Sequence, residues 1–345
     1  MSTDEDLRYA QIPMRSIGPV RLLGEVEGEI RVPLATLETP LWPSVNRGAR
    51  VSVLSGGVQT TVMDDRMTRS VVFEGPDAQT TRDVWNRLRG RRDELEGVVR
   101  STSRYARLVD MHVQWVGNLF YIRFEMETGD AAGHNMVTAA ADQLMNWIVR
   151  EYPRLSYVSV SGNYCTDKKV SAVNGILGRG KYVIAEAVIP EKICRRHLKT
   201  PPDRLVDLNT RKNLLGGILA GGVRAANAHF ANMLLALYLA TGQDAANIVE
   251  GSQGITHAER RGDDLYFSVT LPNIIVGTVG SGKDLPFVRE NLEQLGCLEE
   301  RAPGANARRL AAVAAAAVWC GELSLLAAQT RPGELMQTHM KMERA

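Results

Sequence analysis

Cysteine is scarce. Four occur in 345 residues, at Cys165, Cys194, Cys297 and Cys320, with no Cys-x-x-Cys spacing. Cys194 and His197 form one potential ligand pair, and no second pair completes a site. This argues against a disulfide framework or a structural zinc site and suits a reducing, cytoplasmic setting. Charge of one sign is also lacking. The formal net charge is +2, so bulk electrostatics give no case for a nucleic-acid or membrane surface. The longest nearly unbroken apolar run, Leu310 to Trp319, is too short and too alanine-rich to span a bilayer. No basic-then-apolar segment suggests a signal peptide, and no repeat or low-complexity tract is present. What remains is 44% hydrophobic and 23% charged, ordinary for a globular chain. The length predicts two domains, or one domain with an insertion.

Local patterning supports the second arrangement. Residues 1–17 read as a loosely held arm. Glu29 to Val32 alternates like a strand, Ser44 to Gly48 reads as a polar turn, and Val51 to Val62 is glycine-interrupted. Residues 79–99 are charged and helical in pattern, with Trp85, Leu88, Leu95 and Val98 as an inner stripe. Val109 to Val116 and Asn118 to Glu127 predict strands joined by a turn at Gly117. A helix is expected from Gly129 to about Tyr152, with Met136, Ala140, Leu144 and Ile148 on one face. Helix, hairpin and helix make a small α+β unit over 71–158, inserted between a larger domain's halves, 1–70 and 159–345. Beyond it, Lys181 to Val188 reads as a strand, and Leu205 to Leu239 as largely helical. Glycines 216, 217, 221 and 222 would permit close helix packing there. Asp264 to Val279 reads as two strands broken at Pro272-Asn273, and 285–296 and 304–329 as helices.

The densest chemistry lies at Ser161-Gly-Asn-Tyr-Cys-Thr-Asp-Lys168-Lys169, just after a β-like run. A lysine in a partly desolvated loop can steady a developing oxyanion, and a nearby acid can set its charge. A solvated lysine-rich loop would look the same. Gly277-Thr-Val-Gly-Ser-Gly-Lys283-Asp284 nearly fits a phosphate-cradling loop, but Asp284 stands where a hydroxyl should meet Mg²⁺. A glycine turn that approaches a ligand, or a plain connection, fits better. No Gly-x-Gly-x-x-Gly follows a strand, so a Rossmann dinucleotide site is not supported. The helix start at Gly129-Asp130-Ala-Ala-Gly133-His-Asn135 could instead welcome a pyrophosphate, or Asp130 could be only an N-cap. Ser103-Arg104-Tyr105-Ala-Arg107 could hold a 2′-phosphate and an adenine, or be a solvated basic turn. Glu38, set against Leu37, Leu41 and Trp42, is a candidate proton donor if its pKa is raised, and otherwise a surface glutamate. Asp244 is a helix cap or a lysine's partner. His339, near the C-terminus, is a candidate acid on a mobile tail.

These pieces occur in order with Met67-Thr-Arg69, Leu208 to Gly216, Asn227 to Asn232, Gly242-Gln-Asp244-Ala-Ala and Gly321-Glu-Leu-Ser-Leu325. As a set, from about Gly18 onward, they resemble the 3-hydroxy-3-methylglutaryl-coenzyme A reductase family, closer to its class I, NADPH-using form. The resemblance implies an α+β catalytic domain with an inserted ferredoxin-like cofactor-binding domain. It implies homodimers or homotetramers with active sites between subunits, and reduction of the thioester to mevalonate and coenzyme A by two NADPH. By motif position it makes Lys168 the oxyanion partner in both hydride transfers. It gives Asp244 the tuning of Lys168 and Glu38 through a shared network. Glu38 becomes the proton source at the aldehyde stage, and His339 the acid for the departing thiolate. It places Arg69, Ser161, Lys169 and Lys212 around the glutaryl carboxylate, with Asn232 organising the site. Ser44, Asn46, Arg47 and Arg50 fall at the coenzyme A edge. Ser103, Arg104, Tyr105, Asp130, Gly133 and Asn135 fall at the cofactor edge. No metal is implied.

The sequence departs from the family pattern in places. A Glu-Asn-x-Ile-Gly segment is missing, Trp42 and Pro43 replace small residues, Arg66 precedes Met67, and Ser281 and Lys283 alter the glycine turn. These departures keep open a non-catalytic or altered-specificity acyl-CoA-binding relative, with a tighter pocket wall at Trp42.

Overall fold

The computed structural model describes residues 8–336 and 340. Its strands are β1 (Met14–Gly24), β2 (Gly28–Ala35), β3 (Val58–Glu74), β4 (Arg107–Val116), β5 (Leu119–Glu127), β6 (Ser156–Ser159), β7 (Gly180–Ile189), β8 (Ala225–Ala226), β9 (Gly254–Arg261) and β10 (Asp264–Ile274). The large sheet runs β2-β1-β3-β7-β10-β9-β8. The α+β class is as expected.

One long strand serves two sheets. Residues 59–66 of β3 pair antiparallel with β7, with an irregularity between Val62 and Asp64. From Met67 to Glu74 the same strand pairs antiparallel with β5, which also pairs β4, while β6 lies against its other edge. The apolar residues follow this division. One cluster fills the space around the large sheet. A smaller one, including Val71, Phe73, Phe120, Phe124, Leu144 and Ile148, lies between β3, β4, β5 and the helices Ala78–Leu88, Arg92–Thr102 and His134–Glu151.

Composition explains the main elements. In β7, from Lys181 to Ala187, every second residue is buried, the period-2 pattern of a strand with one core face. The helix Ala305–Gln329 is buried almost all round and packs on β7, β10 and the helix Leu41–Leu54. It is long and apolar enough to cross a membrane, with an 18-residue stretch of mean hydropathy 1.8, yet 94% of that stretch is buried inside the protein. The run read at Leu310 to Trp319 is the middle of this helix. Its alanines let neighbours approach closely, and Trp319 anchors it by donating its indole N–H to Phe267 O at 2.9 Å.

Several expectations fail for identifiable reasons. Residues 14–17 belong to β1, because Ile17 turns inward and pairs with Val32. Ser44 to Gly48 lies within the helix Leu41–Leu54 rather than a turn, and Val51 to Val62 covers that helix's end and the start of β3. Leu205 to Leu239 is largely helical, as expected, but not continuous. A π-helical stretch, Asn209–Gly216, follows Pro202–Leu208, and β8 separates it from the helix Phe230–Ala240. Pro272-Asn273 lies within a single strand, β10, whose hairpin partner β9 was not anticipated.

The glycines that set helix packing are Gly48 and Gly321, not those at 216–222. A β-carbon on Gly48 would stand 2.1 Å from Cys320 O, and one on Gly321 would stand 2.4 Å from Met233 Sδ. Backbone cannot yield as a flexible side-chain end can. Gly48→Ala is therefore expected to cost about 3 kcal/mol or more, measured by urea unfolding against wild type. An unchanged midpoint would mean that the two helices slide apart freely.

Candidate functional site

Lys168 sits on the loop between β6 and the short helix Ala172–Leu177. The loop is unusually tight. Asn163, Thr166 and Lys168 all adopt the left-handed region, with φ of 57°, 45° and 55°. Non-glycine residues enter it only when surroundings compensate. Cys165 is buried beneath the loop, and Ser70 Oγ accepts Tyr164 N–H at 2.9 Å. The Lys168 ammonium is thereby presented 2.8 Å from Asp244 Oδ2, each side chain a little under half exposed. The hydrogen bond to Asp244 raises the Lys168 pKa above the ordinary lysine value, against burial. Burial pushes Asp244 upward, but Lys168 and the Ala246 N–H outweigh it and hold the carboxyl below its usual range. Asp244 is both of the things that its sequence allowed. Its Oδ1 caps the turn Ala245–Asn247 at 3.1 Å while Oδ2 pairs the lysine.

The Asp244 loop is braced by the glycine turn. Gln243 Nε2 donates to Gly277 O at 3.0 Å, and its Oε1 accepts Gly277 N–H at 2.9 Å. Lys283 Nζ donates to Thr241 O at 3.2 Å and also to Gly242 O. Burial lowers the Lys283 pKa to about 8. This lysine is occupied by backbone carbonyls, so the phosphate-loop reading fails.

His134 approaches from the start of the helix His134–Glu151, with Nε2 3.7 Å from Asp167 Oδ1. Burial, and then Arg179, lower its pKa to about 4, so the imidazole is neutral at physiological pH. Lys169 Nζ turns back to Asp167 O at 3.1 Å. Ser161 N–H donates to Ser159 Oγ. Arg69 Nε donates to Thr138 Oγ1 at 3.0 Å. Lys212, on the π-helical stretch, donates to Asn213 Oδ1, and burial lowers its pKa despite Glu322.

Glu38 belongs to a second pair. Its Oε2 accepts Asn232 Nδ2 at 2.8 Å. Among the described residues no hydrogen bond joins this pair to Lys168–Asp244. Of the apolar setting expected for Glu38 only Leu41 shares its cavity. Glu38 is exposed, Leu37 is 77% exposed, and Trp42 points into the core with its N–H on Leu34 O. Glu38 and Asn232 line a cavity of about 350 Å³ with Pro43, Ser44, Arg47 and His229. Trp42 does not line it. Ser44 Oγ meets Ser324 Oγ at 3.0 Å, and Arg47 spans Ser324 and Glu334. An adjoining groove is lined by Asn46, Arg47, Arg50, Arg196 and His197. Buried Glu322 fixes the approach to Asn232 by accepting the N–H groups of Ala228 and His229. His339 lies outside the described residues.

The residues expected at a cofactor edge fall on the segment 103–105 and on the segment 130–135 that leads into the helix carrying His134. Arg104 stacks on Tyr105, its guanidinium 4.7 Å from the ring centroid, and Ser103 Oγ accepts Tyr105 N–H. Gly133, at φ 97°, precedes the helix, and Asn135 is exposed on its first turn. Asp130 caps a different helix from the one expected. It accepts Gly304 N–H at 3.1 Å and Ala307 N–H at 3.0 Å, at the start of Ala305–Gln329. A possible ligand cluster, Asp110, His112 and Glu125, is compromised because Arg66 and Arg123 both pair with Glu125.

A fixed ammonium held charged by a carboxylate, on a loop that a neutral imidazole approaches, suits negative charge developing on a carbonyl oxygen, and the glutamate–amide pair lines a cavity of its own. Such a site suits an enzyme that acts on a carbonyl group. The chain belongs to the hydroxymethylglutaryl-coenzyme A reductase family, whose model matches residues 7–344. It is 48% identical over 322 residues to the 3-hydroxy-3-methylglutaryl-coenzyme A reductase of Pyrococcus horikoshii, covering 92% of this chain and 78% of that protein. The enzyme of that name from Aeropyrum pernix is 45% identical over 95% of this chain and 78% of its own length. A solved structure of the class II 3-hydroxy-3-methylglutaryl-CoA reductase from Streptococcus pneumoniae bound to NADPH superposes with a TM-score of 0.74 at 19% identity, over 95% of this chain and 88% of that one. At that identity the likeness speaks for the fold.

Proposed function

We infer that this protein reduces 3-hydroxy-3-methylglutaryl-CoA to mevalonate and free coenzyme A, using two NADPH. The observation that carries the reading is the Lys168–Asp244 pair at 2.8 Å, on a family member's chain. NADPH held at the cofactor edge would supply the hydrides, the first to the thioester carbonyl, whose C–S bond then breaks to release the coenzyme A thiolate and leave an aldehyde, and the second to that aldehyde. Each transfer leaves negative charge on oxygen, and Lys168 is the cation available to hold it. Asp244 keeps that lysine charged and aimed. Glu38, oriented by Asn232, serves the aldehyde-stage oxygen as proton donor. The thiolate's proton is assigned to His339. Arg69, Ser161, Lys169 and Lys212 hold the glutaryl carboxylate, and Ser44, Asn46, Arg47 and Arg50 the coenzyme A. Ser103, Arg104, Tyr105, Asp130, Gly133 and Asn135 form the cofactor edge. Of these, Arg104 and Tyr105 suit a 2′-phosphate and an adenine, and a Gly133 side chain would collide with Thr128. In this reading residues 71–158 are the cofactor domain.

A homodimer or a larger assembly is part of this reading. Ile176, Leu215, Ile218, Leu219 and Val223 are exposed near the lysine loop, with Leu219 at 90%. Gln253 bridges Ser171 O and Val223 O, so these segments adjoin. An apolar patch of this kind beside a half-open site suits a second copy.

The test is NADPH oxidation, followed by absorbance, with the hydroxymethylglutaryl thioester. Turnover yielding mevalonate and free thiol is expected. Thioester binding without turnover would replace the reading with a non-catalytic acyl-CoA-binding relative.

A further inference from the structure

The reacting pair is assembled from two segments that are not adjacent in sequence. Lys168 comes from the loop after β6, and Asp244 from the turn before the helix Ile248–Gly251. Something must fix one against the other. One buried oxygen touches both.

Glu250 is fully buried. Its Oε1 accepts three donors: Arg179 Nη1 at 2.7 Å, the Lys168 N–H at 3.1 Å and Asn247 Nδ2 at 3.1 Å. Asn247 in turn donates its backbone N–H to Asp244 O at 3.1 Å. Glu250 is therefore one bond from the Lys168 backbone and, through Asn247, two bonds from the Asp244 backbone. Arg179, also fully buried, closes the other side by placing Nη2 2.9 Å from Asp167 Oδ1. Its backbone N–H is held by Pro272 O at 3.2 Å. The left-handed backbone at Lys168 is unfavourable for a residue with a side chain. A carboxylate accepting its N–H is a strong local compensation.

We propose that Arg179 and Glu250 are positioning residues that hold the Lys168 backbone in its left-handed conformation and thereby set the Lys168–Asp244 geometry. Neither touches substrate in this scheme. Both act through the lysine, and the proposal rests on the reductase reading above.

Glu250→Gln is the informative substitution. All donors converge on Oε1, whereas Oε2 is buried without a partner. A glutamine can keep its oxygen at the Oε1 position and place its amide where no donor stands, so the fold is expected to survive. What changes is the strength of the bonds holding Arg179 and the Lys168 N–H. Lys168 faces Asp167 on its own loop, His134 from the helix His134–Glu151, and Asp244 and Glu250 from the turn and helix beyond, with Arg179 behind them. Loosening it from Asp244 removes the contact that keeps it protonated, so the alkaline limb of the pH–rate profile moves to lower pH.

The test compares wild type, E250Q, E250A and the double variant R179M/E250L by kcat, KM, the pH profile and NADPH affinity from fluorescence quenching. The double variant removes both buried charges together, avoiding an unpaired ion. In E250Q, kcat is expected to fall about 30-fold, and in E250A about 100-fold, with the alkaline limb displaced and NADPH affinity within about twofold of wild type. Folded variants with wild-type kcat and pH limb would overturn the proposal. So would failure of all variants to melt cooperatively, which would make the pair a folding element. A wild type without turnover would instead defeat the reductase reading itself.

Discussion

Lys168→Ala is expected to abolish hydride transfer almost completely while leaving the protein folded and able to bind NADPH. The ammonium is the positive charge that Asp244 holds at 2.8 Å, and the proposed mechanism assigns each oxyanion along the reaction to it. Removing a preorganised oxyanion partner costs about 100- to 1,000-fold in kcat. In the proposed mechanism one group serves two successive transfers, so the loss is expected at about 1,000-fold or beyond. Stability should change by less than about 1 kcal/mol, since the side chain is 41% exposed. Lys168→Arg should recover little, because a planar fork cannot occupy the place of a compact ammonium beside a single Asp244 oxygen. The measurement is single-turnover NADPH oxidation beside NADPH affinity. More than a tenth of wild-type turnover in the alanine variant would mean that another cation carries the charge.

The site was more legible in the sequence than its support. Ser161 to Lys169 stands out because it concentrates charge and small polar residues after an apolar run, and Asp244 follows an equally distinctive glycine. Their pairing needed the family resemblance, since nothing local links residue 168 to 244. The buried carboxylate and guanidinium behind them were missed. Glu250 lies in a bland stretch, and Arg179 stands between two glycines with little local to mark it. The signal was a charged residue between Gly178 and Gly180 at a strand's start, where a bulky side chain must turn inward. Among the elements, the small sheet's hairpin and the helix after it were clear because their apolar periods are clean. The helix Leu41–Leu54 was not, because Ser44, Asn46, Arg47 and Gly48 carry turn-like composition. Tertiary packing overrides that propensity. Gly48 is there for contact with Cys320, and Ser44 and Arg47 are turned toward Ser324.

Asp244→Asn should separate the charge on this pair from its shape. The asparagine keeps an acceptor for the Ala246 N–H, so the turn that begins at residue 245 should survive, and with it the fold. The negative charge beside Lys168 is lost. In the wild-type protein the lysine's pKa is raised, so it stays protonated to higher pH than an ordinary lysine. Removing the first cause of that shift lowers its pKa, with burial acting in the same direction and only Asp167 and Glu250 left to oppose it. Activity that depends on protonated Lys168 is therefore lost from the alkaline side. The alkaline limb of kcat/KM moves to lower pH, while the acid limb, which Lys168 does not govern, stays in place. At neutral pH the variant's lysine is still largely charged, so a loss there reports orientation rather than protonation. That loss is expected at about 100-fold. A profile recorded from pH 6 to 10 beside the Lys168→Ala variant distinguishes the cases. If the asparagine variant lost activity equally at every pH with its alkaline limb unmoved, Asp244 would be acting on the substrate directly, as a proton carrier, and not through the lysine.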